Sequence, residues 1–262
     1  MKKGRFRGSA AENIIGYSIT RQTPQECSSQ IMGWIERGEK ARWFACANPH
    51  SLIIAKKDSL FRKAILSADL ITPDGIAIVW ASKILGGGLN ARVTGSDIFA
   101  GLNHALDSKG GYRVFFLGST PNTLEMISRK MAAVYPRVAV AGTYSPPFKT
   151  DFGPQESHKM VEAVNACRPH VLWVGVGAPK QEKWIFRNKE QLDVNFIGAI
   201  GAVFDFFTGK VQRSTPTFLN SELEWVPRFF QEPRRLWKRI FISTPLFLFL
   251  VALQRLKLYK AI

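Results

Sequence analysis

Apolar, β-branched runs bounded by turn residues recur along the first 207 residues, and each is followed by a stretch with helical character. The runs cover residues 43–47, 68–72, 113–117, 138–142, 171–176 and 195–200. Such alternation is typical of a parallel sheet whose strands are joined by crossover helices. The pattern therefore predicts an α/β fold.

Proline marks four of the expected helix starts, at Thr23-Pro24, Asn48-Pro49, Thr120-Pro121 and Gly153-Pro154. Proline fits the first position of a helix because its missing N–H would have no partner there.

The alternation stops near Thr208. Beyond it the chain becomes helical in character and rich in Arg and Trp, with breaks at Pro216, Pro227, Pro233 and Pro245. We predict an α/β body over residues 1–207, in which residues 1–11 form a flexible basic tail, and a helical appendage over residues 208–262. A length of 262 residues suits one such domain with an appendage.

The formal charge of +16 demands an anionic partner: nucleic acid, a phosphorylated substrate or anionic lipid. Residues 208–262 hold ten Lys/Arg against three acids, an excess of 10 − 3 = +7, and they include the apolar run 240–253. This run is shorter than the roughly 20 residues of a spanning helix, and Pro245 interrupts it. Charge beside apolar surface predicts a segment that lies in a membrane interface. The alternative is an ordinary helix packed into the core.

Three cysteines stand far apart with no CxxC pair, so the sequence indicates neither a disulfide framework nor a zinc site. The basic start lacks the apolar stretch of a secretory signal, and we expect a cytoplasmic protein.

Polar residues follow the first two predicted strands. Asn48 comes directly after one and Asp74 closely after the next, where open α/β sheets bind ligands. A carboxylate at this edge is well placed to take a proton from a sugar hydroxyl. The simpler alternative is that both residues cap the helices that follow them.

A third polar stretch runs from Asn90 to Asp97. Arg92 has the paired N–H donors that clamp a diphosphate. Thr94 and Ser96 either add hydroxyl donors or cap the helix that follows. Ser96 or Asp97 is more readily explained as the cap than as a ligand.

Two turns of similar plan end later strands. One contains Gly118, Ser119 and Thr120, and the other contains Gly177, Pro179, Lys180 and Gln181. Backbone N–H groups at a helix start cradle phosphate, so the pair indicates a nucleotide pocket. Neither turn matches GxGxxG or the GxxxxGK[ST] loop.

The eight aspartates include no DxD pair to hold a divalent cation on a nucleotide diphosphate. If the chain transfers sugars, cationic side chains and helix N-termini must stabilise the leaving diphosphate, and no metal site is predicted.

Taken together, several segments resemble the WecG/TagA/CpsF family of glycosyltransferases, from about residue 14 to residue 239. They are Asn48-Pro-His-Ser with Asp74 26 residues later, Arg92-Val-Thr-Gly-Ser-Asp97, Gly175-Val-Gly-Ala-Pro-Lys-Gln181-Glu, Phe204-Asp-Phe-Phe-Thr-Gly-Lys210, and the ending from Leu223 to Arg239. The resemblance implies a Rossmann-like body and inverting, metal-independent transfer from a UDP-sugar to a polyprenyl-diphosphate-linked saccharide, in exopolysaccharide or teichoic acid synthesis. It implies no cofactor, since the UDP-sugar is a substrate.

The resemblance also implies roles for individual residues. Asp74 would be the catalytic base, Asn48 and Gln181 would contact substrate, and Arg92 would bind near the diphosphate. The appendage cations that would close the site over the lipid diphosphate are Arg228, Arg234, Arg235 and Arg239. The family often has Thr where Cys46 stands, and cysteine is a weak hydrogen-bond partner.

The implied location is the cytoplasmic face of the membrane, where the protein would be peripheral on an anionic surface. Nucleic acid is not an expected partner, and self-association into a homo-oligomer is compatible with the sequence. Two alternatives are a Rossmann-type oxidoreductase, which would need GxGxxG and an acidic ribose ligand, and a basic nucleic-acid-binding protein, which would not bind lipid vesicles.

Overall fold

The central sheet has six strands, and every pair of neighbours in it runs parallel. We analysed a computed structural model that describes residues 11–211 and 237–259. The sheet strands are β3 (Arg42–Ala47), β4 (Leu70–Pro73), β5 (Tyr112–Gly118), β6 (Val138–Tyr144), β7 (Val171–Gly175) and β8 (Phe196–Ala199), in the spatial order β4-β3-β8-β7-β5-β6. Each of the six predicted runs overlaps one of these strands, which confirms the α/β prediction.

Helices connect the strands and cover both faces of the sheet. They are α1 (Pro24–Glu36), α2 (Pro49–Lys57), α3 (Ser59–Leu66), α4 (Ile76–Leu85), α5 (Gly95–Lys109), α6 (Pro121–Val134), α7 (Pro154–Cys167), α8 (Lys180–Asn188) and α9 (Val203–Thr208). Four of them begin at the prolines that the sequence marked, which confirms those helix starts.

Alternate residues of each strand enter different cores, as the pleat requires. Phe116 and Trp173 pack with α1, α5, α6 and α9, whereas their neighbours Phe115 and Leu172 pack with α7 and α8. Because both faces are covered, the strands read as continuous apolar runs.

An antiparallel hairpin, β1 (Ala11–Ile14) and β2 (Tyr17–Thr20), precedes the sheet and was not predicted. Ala11, assigned to the flexible tail from the sequence, is the first residue of β1; the rest of the tail lies outside the described residues. Glu12 holds the hairpin in place because its carboxylate accepts from the Ser82 hydroxyl, 2.6 Å away on α4.

The C-terminal segment forms a π-helix, Lys238–Ser243, that continues into α10 (Thr244–Arg255). Phe247, Leu250 and Val251 of α10 are buried in a cluster with side chains of α2 and α4. Gln254 joins the segment to the hairpin, since its Oε1 accepts from the backbone N–H of Ile15 at 2.7 Å. One face of the run 240–253 is thus packed into the core, as the alternative of an ordinary core helix predicts.

The other face of this segment carries large apolar side chains in solvent, namely Trp237, Phe241, Ile242, Leu246 and Phe249. We call these five residues the apolar face. Across the described ranges, no helix combines the length and the apolar character that crossing a membrane requires.

Candidate active site

The carboxyl ends of the parallel strands form one edge of the sheet, and the predicted site residues collect there. The connection after β5 leads outward to β6, whereas the connection after β7 leads the other way to β8. Strands β5 and β7 are neighbours, so their ends flank a topological switch point, the usual ligand-binding crevice of an open α/β sheet. The ends of β3 and β4 lie further along the same edge.

Asp74 follows β4 and is half-buried at this edge. Its backbone N–H donates to the carbonyl of Ala47 at 2.8 Å, which holds it against the end of β3. The N-cap position of α4 is occupied by Gly75, at φ 115°, which has no side chain to cap the helix. The alternative that Asp74 is the N-cap residue is therefore wrong.

Asn48 does cap its helix. The Oδ1 of Asn48 accepts from the backbone N–H of Ser51 at 2.9 Å, and the Ser51 hydroxyl accepts from the N–H of Asn48 at 3.0 Å. Because Ala47 is in register with Pro73, Asn48 leaves β3 at the level where Asp74 leaves β4. The cap thus also fixes Asn48 next to Asp74.

The loop that carries Arg92 lies against the same strand end, since the N–H of Val93 donates to the carbonyl of Pro73 at 2.8 Å. Thr94 is the N-cap of α5, and Asp97 completes the capping box by accepting from the Thr94 backbone N–H at 2.8 Å. Thr94, rather than Ser96 or Asp97, is therefore the cap. The structure brings Asn48, Asp74 and Arg92 to one corner of the sheet edge.

Cys46 lies beneath this corner. Its Sγ accepts from the Thr72 hydroxyl at 3.6 Å, and a Cβ at Gly95 would lie 3.6 Å from the same sulfur. Burial, and then the charge of Asp74, hold the pKa of the thiol well above its usual value, so the thiol is neutral.

The first of the two turns, Gly118 to Thr120, depends on glycine. Gly118 has φ 123°, and a Cβ there would lie 2.6 Å from the backbone carbonyl of Gly175, so β5 and β7 can approach each other this closely only because no side chain is present. Ser119 also has positive φ, and its carbonyl accepts from the Ser145 hydroxyl at 2.7 Å. Thr120 caps α6 by accepting from the N–H of Thr123.

The second turn, Gly177 to Gln181, adds a cis peptide bond before Pro179. The Oε1 of Gln181 accepts from the N–H of Gly177 at 3.2 Å, which closes the turn over the start of α8. Lys180 points toward a neighbouring loop: its Nζ donates to the carbonyl of Lys149 at 2.7 Å and lies 4.8 Å from the centre of the Phe152 ring. Burial lowers the pKa of Lys180.

Lys210 is a cation that the sequence placed in a motif but not in the site. Phe204 anchors its segment by packing on Gly175 and on the Phe116 ring, and the Lys210 ammonium donates to the hydroxyl of Thr123 in the first turn of α6. A cation is thereby added to the helix N-terminus beside the Gly118 turn. The glycine-lysine ending of the motif was the signal for it.

Arg239 is the one appendage arginine of the predicted set that falls in the described ranges. Burial lowers the pKa of His50 on α2, and the positive charge of Arg239 lowers it further. The guanidinium of Arg239 therefore lies near the helix that Asn48 caps. The His50 ring nitrogen Nδ1 is 2.8 Å from the Ser243 hydroxyl and joins the same two segments. Arg228, Arg234 and Arg235 lie outside the described residues.

Glu182 is a buried carboxyl that the sequence analysis missed as a site residue. It is 4% exposed, and burial raises its pKa to about 7. Its Oε1 accepts from the amide of Gln181 at 2.9 Å, whereas its Oε2 is buried and has no partner in the part of the chain that the structure describes. Its charge also contributes to the raised pKa of the Cys46 thiol.

The raised pKa of Glu182 predicts how stability depends on pH. The folded protein binds this proton more tightly than the unfolded chain, so its contribution is present below about pH 4.5 and is lost as pH rises through about 7. A pKa difference of this size corresponds to about 3 kcal/mol. The wild-type protein should therefore lose unfolding free energy between about pH 4.5 and 7, and in Glu182→Gln the contribution of Glu182 to this loss should disappear. Denaturant titrations at several pH values measure the loss. The same loss in both proteins would contradict the prediction.

Comparison with known proteins supports a single family. The model of the glycosyl transferase WecG/TagA/CpsF family matches residues 12–261. A protein of Bacillus spizizenii is 30% identical over 206 residues, which cover 79% of this chain and 77% of that protein. A protein of Bacillus subtilis is 29% identical, covering 76% and 74%, and one of Staphylococcus aureus is 27% identical, covering 97% and 96%.

All three relatives are named N-acetylglucosaminyldiphosphoundecaprenol N-acetyl-beta-D-mannosaminyltransferase. The parallel sheet, the switch-point crevice and the family match over nearly the whole chain agree with one another. The chain therefore belongs to the glycosyl transferase WecG/TagA/CpsF family and is an enzyme of the glycosyltransferase class.

Proposed function

We propose that the protein transfers a hexose or N-acetylhexosamine-type sugar from a UDP-sugar to a polyprenyl-diphosphate-linked saccharide, with inversion at the anomeric carbon. The observation that carries the proposal is the meeting of Asn48, Asp74 and Arg92 at the ends of β3 and β4. The names of the relatives support an acceptor of this class, since those proteins act on a diphosphoundecaprenol-linked sugar.

In the proposed reaction, Asp74 accepts the proton of the acceptor hydroxyl as that oxygen attacks the anomeric carbon. The bond between that carbon and the diphosphate oxygen breaks, and UDP leaves from the opposite face of the sugar. Arg92 would offset the charge that develops on the diphosphate, with paired N–H donors suited to phosphate oxygens. Asp74 suits the role of base because it is half-buried at the carboxyl edge of the sheet and its backbone N–H fixes it to Ala47 at the end of β3.

The UDP moiety would bind in the crevice between the ends of β5 and β7. The turn of Gly118, Ser119 and Thr120 leads into α6, whose N-terminus attracts phosphate, and Lys210 adds a positive charge there. The second turn, with Gly177, Pro179, Lys180 and Gln181, would form the other wall. In this arrangement Gln181 faces the substrate from the α8 side.

The acceptor would reach the site from the cytoplasmic face of a membrane on which the protein is peripheral. Two features of the C-terminal segment support this proposal. Its apolar face is exposed, and residues 237–259 contain four Lys/Arg and no acid. Apolar burial and attraction to anionic lipid then act together. Arg239 belongs to the same segment, and its charge acts on His50 of α2, the helix that Asn48 caps.

Binding measurements test the proposed donor against the two alternatives. By calorimetry on the full chain, we expect UDP and at least one UDP-sugar to bind, and NAD to bind far more weakly. A duplex oligonucleotide should show no saturable binding at physiological salt. Tight NAD binding would favour an oxidoreductase, and saturable oligonucleotide binding would favour a nucleic-acid-binding protein.

Transfer is expected to continue in excess EDTA. The sequence has no DxD pair, and Arg92 and Lys210, with the N-terminus of α6, can offset the diphosphate charge. The test compares initial rates with EDTA and with added Mg²⁺ or Mn²⁺. Loss of activity on chelation that Mg²⁺ or Mn²⁺ restores would contradict the metal-independent mechanism.

A further inference from the structure

The side chains of Gln181 and Glu182 are both buried and bonded to each other at the start of α8, in the wall of the crevice. Adjacent residues of a helix usually point in different directions, so this contact between neighbours is unusual. It draws the carboxyl of Glu182 under the amide of Gln181.

The hydrogen bonds on the Gln181 amide allow only one orientation of it. The Nε2 donates to Oε1 of Glu182 at 2.9 Å, and the Oε1 accepts from the N–H of Gly177 at 3.2 Å. A flipped amide would point its oxygen at the Glu182 carboxylate and its NH₂ at another N–H. Gly201 lies beside the amide, since a Cβ there would be in ordinary contact with the Gln181 Oε1 at 3.5 Å.

Burial of Glu182 is costly to the fold. An oxygen that loses its water without gaining a partner destabilises the folded state, and the Oε2 of Glu182 has no partner within the described ranges. Among the described residues, none of the groups that set the pKa of this carboxyl is a cation. The charges of Asp74 and Glu182 both raise the pKa of the Cys46 thiol on β3. A residue that only packed the core would be better served by an apolar side chain.

We propose that Glu182 is a positioning residue that fixes the Gln181 amide, so that one N–H of Nε2 is presented to the substrate. An amide Nε2 has two donors, and Glu182 occupies one of them. The contact between Gln181 and the substrate rests on the proposed function. The orientation of the Gln181 amide by Glu182 does not depend on that function.

The direct test follows the Gly177 amide, which donates to Gln181. In Glu182→Leu the Gln181 amide is free to rotate, and hydrogen exchange at Gly177 should accelerate at least about tenfold, since an N–H leaves a hydrogen bond. Glu182→Gln keeps an acceptor and should preserve the slow exchange. Glu162→Leu, the same change at an exposed position of α7, is the matched control. Unchanged exchange at Gly177 in a folded Glu182→Leu protein would overturn the proposal.

The kinetic test is a double-mutant cycle on transfer. Glu182→Leu should lower kcat/KM by about 10- to 100-fold, as misplacement of a binding group does. In a Gln181→Ala background the same change should cost less than about twofold, because its effect acts through Gln181. Glu182→Gln should remain within a few-fold of wild type. Additive losses, or equal losses in the Gln and Leu variants, would show that Glu182 acts by another route.

The two failures are distinguishable. A wild-type protein without transfer would contradict the proposed function, while the exchange at Gly177 would still decide the role of Glu182. A wild-type protein that transfers sugar, combined with an additive cycle, would contradict only the inference about Glu182.

Discussion

Asp74→Asn should lower the rate of transfer by about 10²–10⁴-fold, the usual value of one positioned base. Asparagine keeps the shape of the side chain but cannot accept the proton. Because the backbone N–H of Asp74 makes the contact with Ala47 and Gly75 is the helix N-cap, the fold should tolerate the change. UDP binding and the unfolding temperature should stay near those of wild type.

The matched control is Asp193→Asn, an exposed aspartate paired with Lys40 at the surface. This variant should keep full activity. The measurement is the initial transfer rate at saturating donor, with UDP affinity by calorimetry on the same samples. Near-normal turnover in Asp74→Asn would remove Asp74 from the role of base.

The second large effect is expected at the membrane. The double variant Leu246→Gln/Phe249→Gln should reduce binding to vesicles rich in anionic lipid at least about tenfold, because it removes apolar area from the contact at roughly 25 cal/mol per Å². Both side chains are exposed, Phe249 by 58%, so the fold should not depend on them. Deleting the whole segment would be a poorer test, since Phe247 and Val251 belong to the core.

Leu66→Gln/Val134→Gln provides the control, because Leu66 and Val134 are exposed apolar residues outside the C-terminal segment. This control should bind vesicles as wild type does. Co-sedimentation should also weaken with added salt and with zwitterionic lipid, since about 1 kcal/mol is expected for each cation near an anionic surface. Equal binding by both double variants would refute the apolar face as the membrane contact.

Much of the fold could be predicted because the central strands are buried on both sides and several crossover helices begin at a recognisable cap or proline. Runs such as 113–117 and 171–176 need no alternation, and Pro121 and Pro154 mark where helices start. The β1–β2 hairpin was missed because its position depends on distant contacts, such as that of Glu12 with Ser82.

The site was harder to predict because capping and binding use the same residue types. From the sequence, Asp74 could be either a catalytic base or a helix N-cap. Only the structure shows that Gly75, not Asp74, is the N-cap residue of α4. Asn48, of the same apparent kind, is a cap. Glu182 was overlooked because a helix-start glutamate is ordinary in sequence; its burial depends on the packing of α8 against the sheet.

The central claim is most directly tested by incubating the full chain with a panel of radiolabelled UDP-sugars and polyprenyl-diphosphate-linked saccharides. The panel should include the N-acetylmannosamine donor and the N-acetylglucosamine acceptor class that the names of the relatives indicate. We expect at least one pair to give a labelled lipid product, with one UDP released for each sugar transferred and none released without acceptor. UDP release that does not depend on acceptor, or no labelled lipid from any pair on vesicles, would contradict the proposed function.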